Sequence, residues 1–410
     1  MTAGRGTCFR SIDFCENAFL FRVIIVSTEM RNKSSMQTLL ELIKVSQFGG
    51  EVSPSSDFSG IVDEARKQSV LGLVAPLLPK ECLTGEDAHT VERQYANYVR
   101  YLHEEDELKK VLDRVGIPFV ILKGNAAAVY YKDPSLRTMG DIDFLVRPDD
   151  FTRARAVMLE NGFSLEHEGE EYTRHIAFSK NKVSFELHKK FSHEDVDLEE
   201  YMLAGLEARE LRSIQGYEFP MLPKLSNGLV LLDHMRNHLR SGLGLRQIVD
   251  WMMFVHAELD DGFWAEFGPV TASKKLDTLA LVVTRMCQMY MGLDESITWC
   301  RGADEETCRM LMENVLTSGN FGRKQGKGNR IEAVTTAFRS EGFFRRLQRA
   351  GEYNWKAYKK HRWLKPSCWI YQMFRYARQG LQTKRSSAQM REDAKRGKER
   401  YELLKRLGIE

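Results

Sequence analysis

The chain has 410 residues, 43% of them hydrophobic and 29% charged, with a formal net charge of +3. That is the balance of a folded globular protein, and it argues against a disordered, collagen-like or fibrous class. The length exceeds the ~250–300 residues at which one core stops growing, so two or three units are expected.

No run approaches the ~18 apolar residues of a membrane span. The longest apolar stretch near the start, Ala18 to Val26, is interrupted by Arg22 and lacks the small-residue cleavage site of a signal peptide. Residues 1–35 read as a poorly structured extension. The seven cysteines are odd in number and scattered, with no Cys-x-x-Cys pair, so reduced thiols in a cytoplasmic protein with no membrane partner are expected.

Residues 36–116 read as a helical region. Its clearest helix runs from Val91 to Val115, with Tyr98, Leu102, Leu108, Val111 and Leu112 near helical spacing and Gly116 placed to end it. Residues 117–197 change character. Ile117 to Leu122 is a buried-type strand, Asn125 to Tyr131 a short helix, and Asp141 to Val146 a second strand. Pro148-Asp-Asp opens a helix that closes at Asn161-Gly162. Three more strand-like runs follow, 163–167, 174–179 and 183–188, the last two joined by a tight turn at Lys180-Asn-Lys182. Residues 198–318 are expected to form a helical domain, and 319–410 a basic loop followed by a helical tail. The fold class is therefore α+β, a small mixed β-sheet core flanked by N- and C-terminal helical regions.

The chemistry concentrates in the sheet core. Asp141 and Asp143 alternate with Ile142, so both face one side of a strand, about 7 Å apart at ~3.3 Å per residue. Side-by-side charges in an apolar strand are costly unless something compensates, and a divalent cation is the natural compensation. On the strand 183–188, Ser184, Glu186 and His188 share the polar face. Glu186 becomes a third carboxylate, as ligand or general base, if this strand pairs beside the first. His188 is either a substrate contact or an ordinary hydrogen-bonded histidine. Lys123-Gly124-Asn125 stands where a strand becomes a helix, a place suited to phosphate, and Arg137 can grip phosphate or pair with an acid.

Other motifs fail. There is no phosphate-binding Gly-x-x-x-x-Gly-Lys-Ser/Thr loop, and His234 and His238 lack the glutamate of a zinc-protease helix.

Leu122-Lys-Gly124, Tyr130, Pro134, Arg137, Asp141-Ile-Asp143 and Glu186-Leu-His188 together resemble the polymerase-β-like nucleotidyltransferase superfamily, and more closely a bacterial family of uncharacterised nucleotidyltransferases. Leu232 to His238 and Leu245 to Asp250 are similar to that family's helical region, and the likeness spans roughly Thr38 to Met291. The resemblance implies catalytic and metal-binding roles for Asp141, Asp143 and Glu186, with two Mg²⁺ ions and Mn²⁺ as the alternative. It implies nucleotide contacts from Lys123, Gly124, Asn125 and Arg137. Asn125 replaces a serine common in the wider superfamily. The substrate would be an NTP, ATP first among them, and the acceptor is open.

Two other functions compete with the enzyme. One is a non-catalytic nucleotide-binding or antitoxin-like module of the same fold. The other is nucleic-acid binding through the tail, where residues 341–410 hold 19 Lys/Arg against 7 Asp/Glu. The catalytic reading requires Glu186 beside the aspartates and no lysine salt-bridged into the metal position.

Overall fold

The computed structural model describes residues 35–53, 58, 60–166, 174–192, 197–240, 242–320, 342–382 and 386–409. Residues 1–34 of the expected N-terminal extension and most of the basic loop after 319 lie outside them.

Among the described residues, seven strands form one mixed sheet in the order β3-β4-β5-β2-β1-β7-β6. They are β1 (Phe119–Leu122), β2 (Ile142–Val146), β3 (Ser164–Leu165), β4 (His175–Lys180), β5 (Val183–His188), β6 (Glu210–Ile214) and β7 (Tyr217–Met221). β1 runs antiparallel to β2, whereas β2 and β5 are parallel neighbours. The turn between β4 and β5 is the two-residue kind, with Asn181 and Lys182 both at positive φ, so its twist matches that of the strands.

β6 and β7 fall where helix alone was expected. Their hairpin turns at Gln215 and Gly216, both at positive φ. β6 is mostly exposed and polar, and β7 contains Pro220, so neither shows the apolar alternation that marks a strand in sequence. β7 joins the sheet as a parallel neighbour of β1.

The helices are α1 (35–48), α2 (Ile61–Lys67), α3 (Leu71–Val74), α4 (Gly85–Arg114), α5 (Gly124–Ala128), α6 (Phe151–Glu160), α7 (Glu199–Glu207), α8 (Lys224–Leu239), α9 (Leu245–Glu258), α10 (Asp261–Ser273), α11 (Asp277–Met291) and α12 (Glu305–Ser318). Beyond them come Phe343–Asn354, Lys356–Lys360, Cys368–Gln382 and Ser387–Arg406. α4 starts at a Thr84–Asp87 capping box, seven residues before the apolar pattern becomes visible. It ends as expected at Gly116, whose φ is 68°.

Strand alternation sorts the side chains between two cores. Phe119, Ile121, Ile142, Phe144, Val146, Phe178 and Phe185 pack with α4 and α6. Val120, Leu122 and Leu145 join the larger core built by the N-terminal helices and α8 to α12. Asp143 alternates with Ile142 and Phe144, so it faces the helical side. None of the described helices is long and apolar enough to cross a membrane.

Candidate active site

The site forms where β1, β2 and β5 lie side by side. Leu122 is paired with Asp143, and Asp143 with Glu186, so the residue after β1 and two acids meet at one level of the sheet. The first requirement of the catalytic reading, Glu186 beside the aspartates, is satisfied.

His188 binds this pair together. Its Nε2 lies 3.0 Å from Asp143 Oδ1 and 3.3 Å from Glu186 Oε2. Ionised carboxylates only accept hydrogen bonds, so Nε2 carries the proton. Nδ1 of the same ring is buried and has no hydrogen-bond partner among the described residues. Burial opposes a charge on His188, yet its bonds to Asp143 and Glu186 raise its pKa above the ordinary value.

Lys123 is the contrary sign. Its Nζ sits 2.7 Å from Asp143 Oδ1. Burial would raise the Asp143 carboxyl, but the Lys123 charge and the His188 hydrogen bond hold it well below the usual range. Lys123 adopts φ 53°, a left-handed backbone that aims its side chain back across β2, and Gly124 follows at φ 39°.

Asp141 occupies the exposed residue ahead of β2. Partial burial, then the negative charges of Glu186 and Asp143, push its pKa up. Asp141 is thus raised by its acidic neighbours, whereas Asp143 is held down by Lys123 and His188; carboxylates gathered this closely are a cation site in electrostatic terms. The compact donor group, however, is Asp143, Glu186 and His188, whose ligand atoms lie within 4.8 Å of one another. Two carboxylates and an imidazole fit a divalent metal. His188 thus stands in the donor group where the sequence had pointed to Asp141.

Two residues expected at the phosphates are engaged elsewhere. The Arg137 guanidinium forms a fork on Asp250 of α9, Nε to Oδ1 at 2.7 Å and Nη2 to Oδ2 at 2.8 Å, with Tyr131 donating to the same carboxylate. Both partners of this fork are buried. Asn125 is fully buried, and its Nδ2 donates to Glu105 Oε2 of α4 at 2.9 Å. Arg137 thus takes the pairing with an acid that its sequence had left open, while Asn125 is turned toward α4, its Oδ1 and Glu105 Oε1 both buried and unpartnered among the described residues.

Sequence reasoning missed two histidines. His175 pairs directly with His188 across the hairpin, ring centroids 5.0 Å apart, and its Nε2 is 4.0 Å from Glu186 Oε1. The two-residue turn carried the signal, because counting back from it puts 175 opposite 188. His234 of α8 lies close enough to Lys123 and Asp143 to feel both charges; burial and Lys123 keep it neutral. Nothing local to α8 announces that placement. Arg246 of α9 donates to the Thr138 carbonyl at 3.2 Å, just ahead of Asp141.

A family model described as uncharacterised nucleotidyltransferase matches residues 54–292. None of the curated proteins matches the chain. Among solved structures, an antigenic nucleotidyltransferase-like protein from Paracoccidioides brasiliensis is similar over 48% of this chain and 95% of its own, at 11% identity and a TM-score of 0.28.

Proposed function

Because the chain belongs to the uncharacterised nucleotidyltransferase family over residues 54–292, we propose that it moves a nucleoside monophosphate from an NTP to a hydroxyl or phosphate of an acceptor, with release of pyrophosphate. ATP is the first candidate donor. The observation that carries this reading is the side-by-side registration of Asp143 and Glu186, with His188 bonded to both.

In this reading Asp143, Glu186 and His188 would hold a divalent cation, Mg²⁺ or Mn²⁺, with Asp141 beside them. Such a cation supplies charge neutralisation for the phosphates during in-line displacement. His188 would join the carboxylates as a ligand only by releasing the Nε2 proton that it now directs at both Asp143 and Glu186. Lys123 exchanges its carboxylate for the triphosphate, moving its charge from Asp143 to the incoming anion. The acceptor oxygen forms a bond to the α-phosphorus, and the bond from that phosphorus to the bridging oxygen of pyrophosphate breaks. The acceptor proton goes to Asp141, whose raised carboxyl is a stronger base than an ordinary aspartate.

The Lys123–Asp143 ion pair favours a second reading, a nucleotide-binding module without turnover. Incubation with each labelled NTP, Mg²⁺ or Mn²⁺, and a cell extract as acceptor source separates the two. The enzyme reading expects a labelled product and pyrophosphate, both lost in Asp143→Asn. Nucleotide affinity with no label transfer under either metal would establish the binding module instead.

A further inference from the structure

Residues 343–382 contain ten Lys or Arg against a single Glu, and ten aromatic residues, in a stretch of forty. A quarter of this segment is aromatic, against 10% of the whole chain. The segment folds on itself. The helices Phe343–Asn354 and Cys368–Gln382 cross at Gly351, where an added Cβ would lie 2.9 Å from Cys368 Cβ. Trp355 stacks on Tyr371 at 5.0 Å, and Gln348 Nε2 donates to the Lys365 carbonyl at 2.7 Å. Part of the aromatic content is therefore internal glue.

The remainder faces outward. Trp363 is 77% exposed, Tyr353 75%, Phe374 68% and Phe344 66%, joined by Met373 and Ile370. Ile370, Met373 and Phe374 have the i, i+3, i+4 spacing of one helix face. Cations sit beside the rings: Lys359 Nζ is 5.6 Å from the Tyr353 ring centre, and the Arg362 guanidinium 5.1 Å from that of Tyr358. A large exposed apolar area on a strongly cationic element marks a docking surface for something anionic with an apolar interior.

We infer that this crossed-helix segment seats the protein on an anionic lipid surface. The positive excess would meet the headgroups, while Trp363, Phe374, Met373 and Ile370 enter the boundary with the acyl chains. A polynucleotide would satisfy the charge and stack on the rings. It offers no apolar volume to the aliphatic side chains beside Phe374, so the lipid surface is the better fit. No described helix is both long and apolar enough to span, and the attachment inferred is peripheral. This inference is independent of nucleotidyl transfer.

The test is sedimentation of the full chain with vesicles of phosphatidylcholine alone or mixed with phosphatidylserine, with single-stranded RNA and duplex DNA binding measured in parallel. Partition onto the phosphatidylserine vesicles is expected. It should weaken at least about tenfold in Trp363→Ser/Phe374→Ser, from lost apolar burial. It should weaken by at least about tenfold also in Lys359→Glu/Lys360→Glu, from lost headgroup attraction. All four positions are exposed or on the segment's rim, so the melting profile of each variant should match the parent. Failure to partition, partition unchanged in both variants, or polynucleotide binding with steep salt dependence and no vesicle binding would each overturn the inference.

Discussion

Lys123 is the residue on which the proposed chemistry turns. It holds Asp143 at 2.7 Å, the position a metal would use, and it stands at the entrance to α5 where a triphosphate would arrive. Replacing it by methionine removes a competitor for the carboxylate. Mn²⁺ affinity without nucleotide is therefore expected to rise in Lys123→Met while label transfer falls, as read by Mn²⁺ titration and product formation. Unchanged Mn²⁺ affinity would show that the ion pair does not compete with metal.

Glu105 provides a stability test at the same scale. Burial raises its pKa to about 7, against opposing contributions from Asn125 and Arg137. In the unfolded chain the acid loses its proton near pH 4.5, while the folded protein keeps it up to about 7. The folded state thus binds more protons in that window, and stability falls as pH rises through it, by an amount on the order of 3 kcal/mol. Denaturant midpoints measured from pH 5 to 8 should show this slope in the parent and a flatter profile in Glu105→Gln. Equal slopes would mean that Glu105 ionises normally.

At the level of elements, what was readable in the sequence is what local rules govern. Gly116 ended α4, the Lys180–Lys182 turn joined β4 to β5, and period-two alternation put Glu186 and His188 on one face, because each depends on neighbours a few residues away. β6 and β7 escaped because an exposed polar strand and a proline-bearing one are stabilised by pairing, not by their own pattern. The contacts of Arg137 and Asn125 were not readable for a related reason. Their partners, Asp250 and Glu105, are 113 and 20 residues away, and no periodicity encodes that meeting. Close packing of whole helices is equally invisible. At Gly228 of α8 an added Cβ would lie 2.9 Å from the rings of Phe254 and Phe267. Gly228→Ala is therefore expected to destabilise by about 1–3 kcal/mol through overpacking, measurable by chemical denaturation. A neutral result would mean that α8 shifts freely against α9 and α10.

For the molecule as a whole, the sheet and the helical layer are joined by the buried Arg137–Asp250 fork and by Asn227 of α8, which donates to the Ala126 carbonyl in α5. Removing only one partner of the fork strands a buried charge. Asp250→Ala should cost about 3–5 kcal/mol, with much of the loss recovered in Arg137→Met/Asp250→Leu. Denaturation of the single and double variants checks this, and an equally unstable double variant would assign the fork a value beyond charge compensation. The same junction sets the surroundings of the site, since α8 brings His234 and α9 brings Arg246 to the edge of the acid cluster.

The most direct test is label transfer from NTP by Asp143→Asn and Glu186→Gln, each compared with the parent under matched metal and acceptor, with the melting profile confirming the fold. Both substitutions keep size and shape while removing the negative charge that would hold the cation. Each should reduce product formation by roughly a thousandfold or more, the equivalent of about 4 kcal/mol. Turnover preserved in both variants would contradict the catalytic assignment.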